Sequence, residues 1–152
     1  MKVYLAGPLF TPYERGFLAD VAAKIRATGI EVFVPHELDF DEPISPQGVF
    51  DKDGGGLFPA DAVVALLDGP MVDDGTACEI GIFYGLKAHD PTKKGVIGLL
   101  TDSRVVGSEG RTLEGRVVNL FVLGCIEAMG AVTSSIDEVV ATLIRWRDEP
   151  AA

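Results

Sequence analysis

Apolar residues along this chain come in two patterns, short continuous runs and helically spaced stripes, and the two alternate. Val3, Tyr4, Leu5 and Ala6 form a run ended by Gly7-Pro8, which predicts a buried first strand. Phe17, Leu18, Val21, Ala22 and Ile25 then recur at helical spacing, with Gly29 where a helix C-cap belongs. Residues 30–34 alternate as a strand and stop at Pro35, and residues 36–48 mix acids with Pro43 and Pro46 without any period, as a loop does. Residues 49–59 predict a short helix, which Gly54-Gly55-Gly56 weakens by about 1 kcal/mol per glycine.

Residues 62–67 are continuously apolar, the pattern of a central parallel strand, and residues 69–75 form a loop. From Thr76, the residues Ala77, Ile80, Phe83, Tyr84 and Ala88 suit a helix packed on a sheet. Residues 96–100 give a fourth strand and 101–116 a polar loop. Leu120, Phe121, Leu123 and Ile126 suggest a short helix, and residues 131–133 a fifth strand. Ser135 and Glu138 match a capping box that opens a last helix through Val139, Val140, Leu143, Ile144 and Trp146. Five alternations of strand and helix predict an α/β chain with an open parallel sheet covered on both faces. Ligands of such sheets bind beyond the carboxyl ends of the strands, so the loops after residues 6, 34, 67 and 100 are where chemistry belongs.

Composition narrows the partners. At 152 residues, 47% hydrophobic and 24% charged, the chain fits one ordinary globular domain over residues 1–152. Its formal net charge of −10 repels phosphate backbones and anionic lipid, which argues against nucleic acid and membrane and leaves small ligands. Cys78 and Cys125 stand far apart and read as small buried apolar residues in a reducing compartment. His36 and His89 share no ligand spacing, so no metal is expected. The first residues are too short and too soon broken by Pro8 for a signal peptide, which makes the cytoplasm the expected location.

Four segments carry residues that packing alone does not require. Gly7 follows the first strand directly, where a ligand can approach the backbone, although no dinucleotide fingerprint or phosphate loop follows it. Glu79 lies among Ala77, Cys78, Ile80 and Gly81 in the first turns of a mostly apolar helix. A carboxylate there either faces solvent or is held, hydrogen-bonded, in a cleft near the positive helix end. Asp73 and Asp74 suit the helix dipole, Asp53 suits a solvated helix face, and Asn119 suits a helix cap.

Together these residues resemble the nucleoside 2-deoxyribosyltransferase family. The resemblance rests on Tyr4-x-Ala6-Gly7-Pro8 with Phe10, on Asp53 eight residues ahead of Asp61, and on Asp73-x-Gly75-Thr76-Ala77-x-Glu79-x-Gly81, with Asn119-Leu120 following. It implies a flavodoxin-like doubly wound sandwich with a five-stranded parallel sheet, retaining transfer of 2-deoxyribose between nucleobases, and no cofactor. It also implies a homo-oligomer whose neighbouring subunit helps close each site. Glu79 would then attack the anomeric carbon, oriented by Tyr4, while Asp53 protonates the leaving base and deprotonates the incoming one. Asp73 would bind the 5′-hydroxyl with Asn119 from the adjacent subunit, and Leu9 and Phe10 would pack against the base. Hydrolysis of deoxynucleoside 5′-monophosphates is the rival reaction, and a non-catalytic nucleoside-binding module the rival from another class. A dianionic phosphate facing Asp73 is disfavoured, which points to nucleosides; Arg15, Arg104 or Arg111 turned inward would offset that.

Overall fold

Each apolar run marked as a strand joins one sheet, and each stripe packs on it. The structure is a computed structural model and describes residues 1–39, 44–102 and 118–149. The elements are β1 (Lys2–Ala6), α1 (Pro12–Arg26), β2 (Glu31–Phe33), a 3-10 turn (Pro35–Glu37), α2 (Pro46–Leu57), β3 (Ala62–Leu66), α3 (Asp74–His89), β4 (Gly95–Leu99), α4 (Leu120–Glu127), β5 (Ala131–Thr133) and α5 (Ile136–Asp148). All pairings are parallel and the strand order is β2-β1-β3-β4-β5, the flavodoxin-like doubly wound order. β3 and β4 are buried along their whole length, as their unbroken apolar sequence requires.

Alternation along the strands divides the core in two. Val3, Leu5, Val64 and Leu99 meet Leu18, Ile25, Val139 and Leu143 of α1 and α5 on one face. Tyr4, Val63, Ala65 and Val96 meet Leu57, Ile80, Phe83 and Ile126, at the end of α2 and on α3 and α4, on the other. The order reverses between β1 and β3, so the crevice of the fold opens at their carboxyl ends, between the loops that lead into α1 and α3.

The helix boundaries differ from the sequence expectation for identifiable reasons. α1 begins at Pro12 rather than near Phe17, because Thr11 and Glu14 form a complete capping box and Pro12 occupies the first turn. It ends at Arg26, with Ala27 as the cap, and Gly29 takes a φ of 80° in the following turn. At Ser135 the expected capping box is only half made. Ser135 accepts from the Glu138 N–H at 3.3 Å, but Glu138 is held by the Thr133 hydroxyl, which itself accepts from the Ser135 N–H at 3.1 Å. A hydroxyl in the last residue of β5 thus stands between the two ends of the box.

Candidate active site

β1 carries Tyr4 in its middle, with the side chain on the α3 face of the sheet and no solvent exposure. Its phenol donates to Oε1 of Glu79, which α3 presents in its second turn. The carboxylate is therefore hydrogen-bonded and half-buried. Burial raises the Glu79 proton affinity, against the pull of the Tyr4 hydrogen bond, and the neighbouring charges of Asp53 and Asp73 add to the rise; the pKa reaches about 7. Burial and the Glu79 carboxylate push Tyr4 up in turn, so the phenol stays a donor throughout the neutral range.

The ring of Tyr4 is fixed from its other side. Phe33, its partner in register on β2, stacks on it with centroids 5.5 Å apart and planes 14° from parallel. Gly56 of α2 lies against Phe33 so closely that a Cβ there would fall 2.4 Å from the Phe33 ring. The second of the three consecutive glycines, Gly55, meets nothing within 4 Å. Within the run that weakens the helix in sequence, Gly56 is the residue that lets α2 close onto β2.

This closure brings Asp53 in. Its carboxylate lies near enough for its charge to raise both Tyr4 and Glu79, and burial raises its own pKa against the pull of Lys52. Oδ1 of Asp53 is buried without a hydrogen-bond partner, 3.6 Å from Nζ of Lys52. Tyr4, Asp53 and Glu79 thus converge, with Asp73 at the rim. His36, which sequence reasoning considered only as a metal ligand, lies on the 3-10 turn with a buried and unpartnered Nδ1, and burial lowers its pKa. A lone histidine in an aperiodic segment gives no signal from which this could be read.

The substrate-binding candidates are divided between roles. Asp73 caps α3, accepting from the Thr76 N–H at 3.0 Å and the Thr76 hydroxyl at 3.3 Å, both through Oδ2. Leu9 and Phe10 lie on the β1–α1 loop. That loop is tied by Arg15, which donates to the Leu9 carbonyl at 2.8 Å, and by Glu14, which accepts from the Phe10 and Thr11 N–H groups. Nη1 of Arg15 is engaged in this bond, while Arg104 and Arg111 lie outside the described residues. Phe10 is largely exposed and, with Glu14, Asp68, Met71 and Asp73, lines a cleft of about 360 Å³ whose lining includes neither Tyr4 nor Glu79. The Cβ direction of Gly7 points to Leu66 and Leu18, at 3.0 and 3.1 Å, so packing as well as ligand approach restricts that position.

Asn119 stands apart. It caps α4, accepting from the Phe121 and Val122 N–H groups, and no hydrogen bond among the described residues joins it to the other candidates. The cysteines also depart from expectation: Cys78 is exposed and Cys125 half-buried, both without a disulfide. Among the described residues no group of three or more His, Cys, Asp or Glu side chains could hold a metal ion, and no helix is long and apolar enough to cross a membrane.

A doubly wound parallel sheet with a phenol bonded to one carboxyl and the charge of a second carboxyl acting on both defines an α/β protein with a candidate site on one face of its sheet. The chain belongs to the nucleoside 2-deoxyribosyltransferase family, whose sequence model matches residues 3–126. It is 35% identical over 116 residues to the uncharacterized protein UU063 of Ureaplasma parvum, covering 69% of this chain and 73% of that one. Among solved structures it resembles a conserved protein from Enterococcus faecalis, with a TM-score of 0.79 and 28% identity over 95% of this chain and 98% of that one. A 2-deoxyribosyltransferase from Bacillus psychrosaccharolyticus matches with a TM-score of 0.67 and 26% identity over 94% and 96% of the two chains. The family is one of 2-deoxyribosyltransferases, which act on nucleosides and nucleobases.

Proposed function

We propose that this protein transfers 2-deoxyribose between nucleobases, with retention, through a glycosyl ester on Glu79. The observation that carries the proposal is the half-buried Glu79 carboxyl gripped by the Tyr4 phenol, with the charge of a second carboxyl, Asp53, acting on it. One oxygen of ionised Glu79 attacks C1′. The C1′–N bond breaks, its electron pair leaves with the base, and the base nitrogen takes the proton of Asp53. An incoming base then attacks C1′ from the opposite face and gives its N–H proton to Asp53, and the ester bond breaks to restore the Glu79 carboxylate. Two displacements retain configuration, by the logic of retaining glycosidases. Protonating a poor leaving base contributes about 10²–10⁴-fold. All charge is handled by the chain's own side chains, so the reaction needs no cofactor.

Asp73 favours nucleosides over 5′-monophosphates. A carboxylate is a good acceptor for a 5′-hydroxyl and a repulsive neighbour for a phosphate dianion. Phe10 of the cleft and Leu9 next to it in the chain are assigned the apolar contact a base requires, and Gly7 follows the end of β1 just before them. We assign Asn119 to the site of a neighbouring subunit in a homo-oligomer, since it is exposed at the start of α4, next to the exposed Leu120 and Phe121. The activity is one of nucleoside salvage, and two unpaired cysteines fit the cytoplasm.

The test is to incubate the protein with deoxyinosine and adenine and to follow deoxyadenosine by chromatography. A 2-fluoro-arabinosyl nucleoside should add the sugar mass to the peptide that contains Glu79. Absence of exchange over several base pairs, or free deoxyribose formed at one rate with and without acceptor, would overturn the transferase reading.

A further inference from the structure

Lys52 and Asp53 are adjacent on α2, and neighbouring residues of a helix ordinarily point about 100° apart. Here their charged ends lie 3.6 Å apart, and the side chain of Lys52 is only 14% exposed. A third point explains the approach. Nζ of Lys52 donates to the Pro35 carbonyl at 3.0 Å, just beyond the end of β2. One turn further along α2, Gly56 lies against Phe33 of the same strand. Lys52 and Gly56 are four residues apart and so share a helix face, and that face is seated on β2 at Phe33 and on the turn that follows it at Pro35. Asp53 is the next residue round the helix, turned toward Tyr4 and Glu79.

We propose that Lys52 is a positioning residue that pins α2 to the end of β2 and fixes both the place and the charge of the Asp53 carboxylate. Its ammonium opposes every other influence on that group. Burial disfavours the Asp53 anion, and the groups facing it from the other elements are the Glu79 carboxyl of α3 and the Tyr4 phenol of β1. Around Lys52 itself, the Pro35–Glu37 turn brings His36, whose ring also feels Glu37 and Arg15. Among the charges that act on Asp53, Lys52 is the cation. The Pro35 bond and the Asp53 contact use one side chain, so losing the amine disturbs position and charge together.

The inference rests on Asp53 being the acid/base, but its test does not depend on turnover. The carboxyl carbon of Asp53 is titrated by NMR in the wild-type protein and in Lys52→Gln, Lys52→Met and Lys52→Arg. Glutamine keeps a donor for Pro35 and removes the charge, methionine removes both, and arginine keeps both. The Asp53 midpoint should rise by about half a unit or more in Lys52→Gln and Lys52→Met and stay in place in Lys52→Arg. The acid limb of kcat/KM should move the same way. Lys52→Met should also lose turnover about tenfold relative to Lys52→Gln, through misplacement of the carboxyl. An Asp53 midpoint that does not move in Lys52→Gln overturns the proposal even if the variant is fully folded and active. A moved midpoint in a protein that exchanges no bases supports it while the transferase reading fails. Should Lys52→Met not fold, Lys52→Gln alone decides.

Discussion

The proton at Glu79 is the most consequential detail at the scale of single residues. Its folded pKa of about 7 lies above the ordinary 4.5, so the folded chain keeps the proton to higher pH than the unfolded chain does. The stability this contributes is complete below pH 4.5 and is lost as pH rises through 7, where the buried group ionises at a cost of about 2 kcal/mol after solvent screening. Glu79→Gln, which still accepts from Tyr4, should therefore melt higher than wild type at pH 8 and equal to it at pH 4, while losing at least about 10³-fold in transfer. Matched thermal melts at the two pH values check the sign. Tyr4→Phe removes the donor that favours the anion, and should lower kcat by about 10–100-fold with the fold intact.

The same two carboxyls set the pH dependence. Transfer needs Glu79 ionised and Asp53 protonated, whereas in the empty site burial and both neighbouring aspartates leave Glu79 as the group that holds its proton up to about 7. The productive form is the minor arrangement of the singly protonated pair, and kcat/KM should fall above about pH 7, when the pair loses its last proton. Asp53→Asn removes one member. With a nucleoside whose base leaves without protonation, kcat/KM of that variant should rise with pH through the Glu79 ionisation instead of falling. A wild-type profile still rising at pH 9 would count against these roles.

At the scale of elements, α2 shows why the strands were legible in the sequence and the site geometry was not. An apolar run such as residues 62–67 fixes a buried strand by itself, and β3 occupies Ala62–Leu66. The three glycines of α2 look like helix breakers by intrinsic preference, and the reason for Gly56 lies in the partner it meets, Phe33, which is 23 residues away in sequence. The start of α1 was written in the chain as Thr11-Pro12-Tyr13-Glu14, but apolar periodicity, which begins at Phe17, passes over it. Tyr4 and Glu79 could be nominated from their odd surroundings and from the family motif; that the phenol grips the carboxylate is a long-range contact, across 75 positions, that no local pattern encodes. Two substitutions separate the roles inside the glycine run. Gly55→Ala, at an exposed position with open space, should stabilise the protein by about 0.5–1 kcal/mol and leave transfer unchanged. Gly56→Ala should instead cost about 1–3 kcal/mol and reduce transfer, because Phe33 can yield only by leaving Tyr4. Equal melting shifts in the two variants would refute the close seating of α2.

At the scale of the whole molecule, one surface fails to separate apolar from polar. α5 is amphipathic, with Val139 and Leu143 buried and Asp137, Glu138, Arg145 and Arg147 turned to its polar side. α4 is apolar nearly all round and α3 is mostly apolar between its charged ends, and such helices are ordinarily covered on most sides. Here their outer faces leave Cys78, Tyr84, Leu120 and Phe121 exposed, Phe121 at 83%, around a groove of about 270 Å³ between the two helices. In a chain of net charge −10, an uncharged face is where two copies can approach without strong repulsion. Asn119 caps α4 next to the exposed Leu120 and Phe121, the placement that the proposed sharing of this residue between copies requires. The protein should accordingly elute above the 16.1 kDa of one chain in size-exclusion chromatography with light scattering. Phe121→Asp should dissociate it, since a lost aromatic contact of about 2–3 kcal/mol weakens association by about 30–150-fold. Transfer should then fall with dilution in Phe121→Asp at concentrations where wild type keeps its rate. A wild-type protein that is monomeric and fully active at micromolar concentration would remove both the interface and the borrowed asparagine.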